Sequence, residues 1–328
     1  MTETIRWGIL GTGSIAHQFA RGLADTADAT LVAVGSRSAA TAETFGDEFN
    51  IERRHANYED LAADQGVDAV YVSTPHPFHK DNSVLLLEQG KAVLCEKPFT
   101  INAGEAKAVI DVAKQRDVFL MEAMWTRYVP AVVRARELIA EGAIGDVRLV
   151  QADFGFRAGI DPEGRLFNPA LGGGALLDVG IYVSSMASMV LGPHPTEVVS
   201  TTHIGETGVD EQSAILMTYP GGQLAVLSCA VRTSTAVEAR IFGTEGSITL
   251  HSPFFKCEGL TVKRGGDSEQ IDLPLHGNGY NYEAEEVGCC LREGRKESAV
   301  MPLDETLALM ELLDLIRAQW GLRYPMES

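Results

Sequence analysis

The first 120 residues alternate short, continuous apolar runs with stretches in which apolar residues recur every three or four positions. Continuous runs of this length predict strands buried on both faces, and the recurring pattern predicts amphipathic helices. The expected strands are at 5–10, 30–35, 68–74, 91–95 and 118–121. The expected helices are at about 15–23, 38–49, 80–89 and 102–116. Strands that alternate with helices in this way predict an α/β domain with a doubly wound parallel sheet.

The pattern changes after Trp125. Between 196 and 273 most of the chain consists of short strand-like segments separated by glycine-rich turns, such as 220–222 and 243–246. The expected strands are at 147–154, 196–204, 213–219, 223–232, 236–242, 246–251, 260–264 and 270–273. The expected helices are at about 130–141, 173–191, 282–293 and 303–320. Closely spaced strands predict a mainly antiparallel sheet. We therefore predict a first domain at 1–122 and a second, α+β domain at 123–328.

The composition is typical of a folded two-domain protein, and the net charge argues against nucleic acids and anionic membranes as partners. The chain has 328 residues, of which 45% are hydrophobic and 22% charged, about twice a common domain size of ~150 residues. It has 27 Lys and Arg against 45 Asp and Glu, so its net charge is −18. A surface this acidic repels nucleic-acid phosphates and anionic membranes, and we expect neither as a partner. No uninterrupted apolar run approaches the ~18 residues of a membrane span.

The cysteines and the first residues indicate a compartment. The segment 1–4 has no basic residue, and a strand pattern follows at once, so we expect no signal peptide. The five cysteines lie in apolar segments without metal-type CxxC spacing, as buried thiols of cytoplasmic proteins do. The expectation is a cytoplasmic protein without a disulfide framework.

A glycine-containing turn follows the first strand and opens the first helix. Gly11 allows the tight turn, Gly13 lets the backbone approach a pyrophosphate, and Ala16 permits close packing of the helix. The helix N-terminus adds free N–H groups and the positive end of a dipole. The alternative is a plain structural turn, but the strand–turn–helix context favours dinucleotide binding. The expected cofactor contacts are Gly11, Thr12, Gly13, Ser14 and Ile15.

The end of the second strand bears on the choice of dinucleotide. NAD-binding sheets usually place an Asp or Glu there to hold the ribose 2′-hydroxyl. This chain has Ser36 and Arg37 instead. Arg37 can stack on adenine and pair with a 2′-phosphate. This favours NADP as the cofactor, with NAD also possible. Alternatively, Arg37 is an ordinary surface residue at the start of a helix.

Glu96, Lys97 and Pro98 end the fourth strand, at the edge of the sheet where ligands bind in such folds. A lysine ammonium there can pass a proton to or from a substrate oxygen. Taken alone, a lysine at this position is more often a solvated strand end than a catalytic group. His76 and His79 are metal-ligand types, but no third ligand is spaced to join them, so we expect no metal.

Several segments together resemble the glucose–fructose oxidoreductase/inositol dehydrogenase (Gfo/Idh/MocA) family. Within that family the sequence is most similar to the dimeric dihydrodiol dehydrogenases and the NADP-dependent D-xylose dehydrogenases. The segments that carry the resemblance are GTGSIA at 11–16, AVLCEKP at 92–98, LMEAMWTRY at 120–128, GGGALLDVGIY at 172–182, TGVDE at 207–211 and YEA at 282–284. They extend over essentially the whole chain, and their order and spacing are more specific than any one of them.

The resemblance implies a Rossmann domain followed by a domain whose open-faced sheet mediates dimerisation. It also implies hydride transfer between NADP(H) and a CH–OH group of a sugar, a polyol or a cyclic dihydrodiol. Lys97 matches the family's catalytic lysine, and Asp178 and Tyr182 match its D-x-G-x-[H/Y] element. On an α-helix these two residues share one face, toward a cleft that also contains Lys97. Tyrosine, whose ordinary pKa is near ~10, needs a nearby cation to act as a base, so the proton carrier stays open between Lys97 and Tyr182.

The remaining implied contacts surround the nicotinamide and the substrate. The family lines the nicotinamide ribose with a loop that matches Thr74, His76 and His79, next to Glu96 and Lys97. Aromatic or cationic residues near the expected cleft are candidate substrate contacts, because rings stack on sugars and arenes alike; they are Trp125, Arg127, Phe154 and Tyr280. For Phe156, core packing is an equal alternative.

Two other function classes remain possible within the family. One is a cofactor-binding regulatory protein without turnover, against which the intact Lys97, Asp178 and Tyr182 argue. The other is an NAD-linked glycoside hydrolase that oxidises its sugar transiently. Release of an aglycone without net cofactor reduction distinguishes the hydrolase from the dehydrogenase.

Overall fold

The computed structural model describes residues 4–327 and divides into two compact units. The first unit extends up to Trp125 and includes His276–Leu307, and the second comprises Thr126–Leu275 and the chain from Ala308 onward. The segment His276–Leu307, which the sequence pattern places in the second domain, thus packs with the first unit because the apolar side of its helix lies against that unit's helices and sheet. The predicted class, a parallel α/β sheet followed by a mostly antiparallel sheet, is confirmed.

The first unit contains a six-stranded parallel sheet in the order β3-β2-β1-β4-β5-β6. Its strands are β1 (Ile5–Leu10), β2 (Ala29–Gly35), β3 (Arg53–His55), β4 (Ala69–Val72), β5 (Ala92–Glu96) and β6 (Leu120–Ala123). Its helices are α1 (Ser14–Leu23), α2 (Ala39–Phe49), α3 (Tyr58–Ala63), α4 (His79–Glu88), α5 (Ala103–Arg116) and α8 (Tyr280–Arg292). The order of strands reverses between β1 and β4, which is where ligands bind in doubly wound sheets.

Some helix starts in this unit have a side-chain cap and others do not. The side chain of Asn102 accepts the Glu105 N–H at 2.9 Å, so it caps α5, whose start agrees with the helix expected at about 102–116. Ser38 is the N-cap residue of α2, but its side chain makes no capping bond. The sequence pattern does not predict β3 and α3, because both are short and β3 has no apolar residue.

The second unit contains an eight-stranded sheet in the order β14-β13-β12-β11-β7-β10-β9-β8, antiparallel except for the pair β7–β10. Its strands are β7 (Val147–Gly155), β8 (Glu197–Ile204), β9 (Asp210–Thr218), β10 (Leu224–Ala230), β11 (Ala239–Gly243), β12 (Gly246–Leu250), β13 (Gly259–Arg264) and β14 (Asp267–Asp272). Its helices are α6 (Pro130–Ala140) and α7 (Ile181–Leu191). The long helix α9 (Leu303–Trp320) begins in the first unit and ends in the second.

The helix expected over 173–191 does not begin as a regular α-helix. Leu176–Gly180 forms a π-helical turn, and α7 continues from Ile181. Helix α7 packs on β7 and β10 and buries nearly all its residues. By length and composition the segment Pro169–Leu191 is apolar enough to cross a membrane, with a mean hydropathy of 1.5, but 83% of its apolar window is buried inside the protein. Its burial is that of a core helix.

Candidate active site

The glycine turn after β1 leaves the start of α1 accessible. Gly11 has a φ of +105°, in the left-handed range, and a Cβ there would lie 2.9 Å from Ser73 Oγ. Gly13 is the N-cap residue of α1, no side chain caps this helix end, and a Cβ on Gly13 would meet no atom within 4 Å. Gly13 and Ser14 are both exposed. The start of α1 is therefore open at Gly13 and Ser14, and it fits a dinucleotide phosphate.

The end of β2 carries a cation whose side chain is placed by its neighbours. Ser36 is buried, and its Oγ lies 2.6 Å from Thr41 Oγ1. Arg37 is exposed, its guanidinium lies over the Phe78 ring at 5.8 Å, and its positive charge lowers the pKa of the nearby Tyr58 hydroxyl, against the larger, opposite effect of burial. Within residues 4–327 no carboxylate forms an ion pair with Arg37. The positive charge at this strand end is thus uncompensated by an acid.

The loop after β4 is fixed by a buried histidine. His79 is fully buried, with Nε2 at 2.7 Å from the Thr74 carbonyl oxygen and Nδ1 at 3.0 Å from the Pro98 carbonyl oxygen. Burial lowers the pKa of His79, so the ring is neutral and donates to one of these oxygens at a time. The His76 ring lies 5.7 Å away, edge to face. His79 therefore joins the β4 loop to the loop that carries Lys97.

The end of β5 combines the half-buried Lys97 with a buried acidic group. Glu96 accepts a hydrogen bond from the Tyr71 hydroxyl and another from the Lys97 backbone N–H at 3.0 Å. The fully buried Glu283, on α8, has no hydrogen-bond partner for either oxygen among the residues described. Burial and, to a lesser extent, the charge of Glu96 raise the pKa of Glu283 well above the ordinary value of a carboxyl group. The sequence pattern did not select Tyr71 or Glu283.

In the second unit, Asp178 and Tyr182 lie on successive turns of one helical segment. Asp178, in the π-helical turn, is buried, and its Oδ1 lies 2.8 Å from a nitrogen of Arg165. Tyr182, in α7, is 7% exposed. Its ring lies 5.3 Å from that of Phe154 and 5.8 Å from that of Phe255.

Phe255 is a residue that the sequence analysis missed. It stacks on Phe154 at 4.6 Å with the rings only 5° from parallel. It belongs to a 3₁₀ turn at 254–256, far from Tyr182 in sequence, so no local pattern connected the two. Phe154 and Phe255 together form an apolar wall beside the tyrosine. Phe156 packs at the edge of a buried apolar cluster around Phe167 and Val179, which favours its packing role.

The other predicted substrate contacts are buried. Trp125 stacks on Tyr280 at 4.6 Å, and both belong to the first unit. Arg127 is 2% exposed, and its guanidinium donates to the Ser185 hydroxyl at 3.0 Å and to the Ser185 carbonyl at 3.2 Å, so it holds α7. A substrate contact by any of the three stays a prediction. Over residues 4–327, no three His, Cys, Asp or Glu side chains are grouped so as to hold a metal ion.

Known proteins resemble the chain along nearly its whole length. The profile of GFO/IDH/MocA, an oxidoreductase family with an NAD-binding Rossmann fold, matches residues 5–124. The profile of the GFO/IDH/MocA C-terminal domain matches residues 132–249. A trans-1,2-dihydrobenzene-1,2-diol dehydrogenase of Mus musculus is 38% identical over 335 residues, which cover 99% of each protein.

Solved structures with the same fold include two sugar-related enzymes. A 3-ketoreductase from Actinomadura kijaniata, in complex with NADP and TDP-benzene, has a TM-score of 0.86 and 26% identity, and the match covers 96% of this chain and 98% of that one. An aldose–aldose oxidoreductase from Caulobacter crescentus, complexed with glycerol, has a TM-score of 0.89 and 26% identity, with coverage of 97% and 98%.

Proposed function

The chain belongs to the GFO/IDH/MocA oxidoreductase family, which confirms the resemblance of its motifs, and we propose that it transfers a hydride between NADP(H) and a CH–OH carbon of a sugar, a polyol or a cyclic dihydrodiol. One observation carries this proposal. The open, uncapped start of α1 and Lys97 both follow the carboxyl ends of strands in the same parallel sheet, β1 and β5. An anion site and a proton carrier thus occur at one edge of one sheet.

The cofactor is held by the glycine turn and by the end of β2. The N–H groups at Ser14 and Ile15 bind the pyrophosphate, and Gly13 lets it approach the backbone. Arg37 binds the 2′-phosphate of NADP, since no acid at this position repels it. When bound, the nicotinamide accepts or donates the hydride. The protein's own residues orient the substrate and manage its proton.

Lys97 is the proposed proton carrier. During oxidation the hydroxyl proton of the substrate passes to the Lys97 amine as the hydride leaves, and during reduction the ammonium returns it. Glu96 positions this residue, because its carboxylate accepts the Lys97 N–H and is itself fixed by Tyr71. Tyr182 is the alternative carrier, with Asp178 beside it in the helical segment.

The substrate class follows from the relatives and from the aromatic wall. The mammalian relative is a dehydrogenase of a cyclic diol, and the structural neighbours are a 3-ketoreductase and an aldose–aldose oxidoreductase. Phe154 and Phe255 present apolar ring faces beside the Tyr182 side chain. Such faces pack on the C–H surface of a sugar and on a cyclohexadiene ring alike.

A substrate screen tests the proposal. Aldoses, polyols, inositols and trans-dihydrodiols are offered with NADP and with NAD, and reduced nicotinamide is followed by absorbance. We expect turnover with at least one class, faster with NADP. Cofactor binding without turnover on any class would favour a regulatory protein, and release of an aglycone from a glycoside without net reduction would favour a hydrolase.

We further propose that the protein is a homodimer through the second sheet. Val199, Leu216 and Val226 lie side by side on β8, β9 and β10 and are 55%, 44% and 43% exposed. An apolar row of this kind on an open sheet face is typical of an interface. Leu216→Lys should convert a dimer into a monomer of 35.3 kDa by light scattering. Leu315→Lys, at an equally exposed leucine on α9, is the control and should leave the dimer intact.

A cytoplasmic location is also part of the proposal. All five cysteines are free thiols, and four of them are buried, which suits a reducing compartment. Fractionation of the source cells, with the protein followed by antibody, tests this location.

A further inference from the structure

Asp210, the first residue of β9, is a fully buried carboxylic acid that the motifs of the active site do not explain. Its Oδ2 accepts the backbone N–H of Leu176 at 2.7 Å. Leu176 begins the π-helical turn that contains Asp178 and continues into α7 with Tyr182. Asp210 is therefore bonded to the first turn of the helical segment that carries both candidate catalytic side chains of the second unit.

Gly174 shows how closely Asp210 approaches the start of this segment. Its φ is +124°, in the left-handed range, and a Cβ at this position would overlap Asp210 Oδ1. The hydroxyl of the buried Tyr324 donates a 2.8 Å hydrogen bond to the neighbouring carbonyl, that of Gly173. Two side chains from distant parts of the chain thus fix the residues that lead into the helix.

Burial and the neighbouring groups shift the pKa of Asp210 in opposite directions. Burial raises the pKa of Asp210 to about 7, while the N–H groups of Leu176, Ala175 and Asp210 itself and the positive charge of Arg317 lower it. Near neutral pH both forms are therefore populated. The ionised form is the one that a helix N-terminus stabilises, because the unpaired N–H groups carry partial positive charge.

The other ionisable groups that face Asp210 come from two elements. Cys229 lies on β10, and Tyr324 follows α9. Burial and, second to it, the charge of Asp210 raise the pKa of both groups well above their ordinary values, so both stay neutral. Arg317, on α9, is bound to Asp314 at 2.5 Å and to Glu327 at 2.7 Å. These two carboxylates largely compensate the charge of Arg317. The direct contact that favours ionised over neutral Asp210 is therefore the hydrogen bond from the Leu176 N–H.

We propose that Asp210 is a positioning residue, whose carboxylate fixes the first turn of the helical segment and thereby the orientation of Asp178 and Tyr182. This inference rests on the proposed function, because it takes those two side chains as parts of the catalytic machinery. Asp178 is two residues beyond Leu176, and Tyr182 follows on the next turn. A change in that first turn displaces both groups together.

The alternative is a purely structural role, in which any acceptor for the Leu176 N–H suffices. The variant Asp210→Asn distinguishes the structural role from the proposed role of the charge, because its amide oxygen can accept the Leu176 hydrogen bond but carries no charge. Hydrogen bonds to charged groups are about twice as strong as neutral ones. We expect the ratio of parent to variant kcat to rise about tenfold between pH 6 and pH 8, with KM and the cofactor Kd changed less than about twofold. Tyr324→Phe removes the neighbouring bond to Gly173, and its ratio should be independent of pH.

Hydrogen exchange of residues 174–182 gives a readout that needs no turnover. Asp210→Asn should make this segment exchange about tenfold faster at pH 8, relative to the amides in the rest of the second unit. If the parent protein is active and Asp210→Asn has the same hydrogen exchange, kcat and pH profile as the parent, this inference is wrong and the proposed function stands. A parent inactive on every substrate, with faster exchange in the variant, overturns the proposed function and supports the anchoring of the helix.

The parent protein provides the test if the variant does not fold. Protection of residues 174–182, corrected for intrinsic exchange rates, should increase as the pH rises from 6 to 8 and Asp210 ionises. Protection that stays constant over this range overturns the inference.

Discussion

Replacing Arg37 by alanine should remove most of the preference for NADP over NAD. Arg37 follows β2, is exposed, and places its guanidinium over the Phe78 ring at 5.8 Å. Among residues 4–327 no carboxylate forms an ion pair with this guanidinium, so none competes with a phosphate for it. A guanidinium binds a phosphate through charge-assisted, often bidentate, hydrogen bonds.

The magnitude follows from those bonds. A hydrogen bond to a charged group contributes ~1.5–3 kcal/mol, which corresponds to a ~10- to 150-fold difference in Kd. Because Arg37 is exposed, salt and solvent screen its charge, and we expect the lower part of that range, about 10- to 30-fold. Arg37→Ala should weaken NADP binding by this factor and change NAD binding less than about twofold.

Quenching of tryptophan fluorescence or calorimetry measures both dissociation constants at low and high ionic strength. Arg6→Ala is a matched control, because Arg6 lies on β1 near its amino end, where it pairs with Asp68 at 2.6 Å. That variant should keep the parent's cofactor preference. Equal binding of NADP and NAD by the parent, or an Arg37→Ala protein that still prefers NADP, would refute the assignment of Arg37.

Three further predictions address the proton carriers and the buried acid. Lys97→Met should keep cofactor binding and lower kcat at least ~100-fold, since general acid–base catalysis typically contributes 10²–10⁴; near-normal turnover contradicts its role. Tyr182→Phe should lower kcat about as much, with a double variant little worse, if the two act as a unit; an unchanged kcat means that Tyr182 only packs. The pKa of Asp210 is raised from 3.8 to about 7, so the folded protein binds the proton more tightly than the unfolded chain does. The resulting contribution to the free energy of unfolding is fully present below pH ~4 and is lost as the pH rises to ~7. Urea unfolding should therefore show the parent losing about 4 kcal/mol relative to Asp210→Asn between pH 4 and pH 8, and parallel curves would contradict this.

The parallel sheet and the cofactor turn were predictable because their signals are local. A continuous apolar run such as 92–95 is stable only where both faces of a strand are covered, and a glycine at position 11 marks a turn with positive φ. Both features follow from residues that are adjacent in the chain. Arg37 was found in the same way, from its place directly after an apolar strand.

Features that depend on distant contacts were not predictable. The segment 173–191 is apolar on nearly every side, so its periodicity does not distinguish the wider π-helical turn at Leu176–Gly180 from a regular α-helix. Phe255 reaches Tyr182 only through the folding of the second unit. The Leu176–Asp210 bond joins residues 34 positions apart. No pattern in a single sequence connects such pairs.

A buried aspartic acid at position 210 is better explained by a role in function than by a contribution to stability. A buried carboxylic acid whose pKa is raised destabilises the fold at neutral pH, and an amide could accept the Leu176 hydrogen bond without that penalty. Sites where a local choice opposes stability are typically those that activity requires. The destabilised acid here is attached to the one turn that leads into Asp178 and Tyr182. If the charge of Asp210 is what orients that turn, the pH at which the loss of stability levels off should coincide with the midpoint of the gain in turnover, near pH ~7, because both report ionisation of Asp210 in the folded protein.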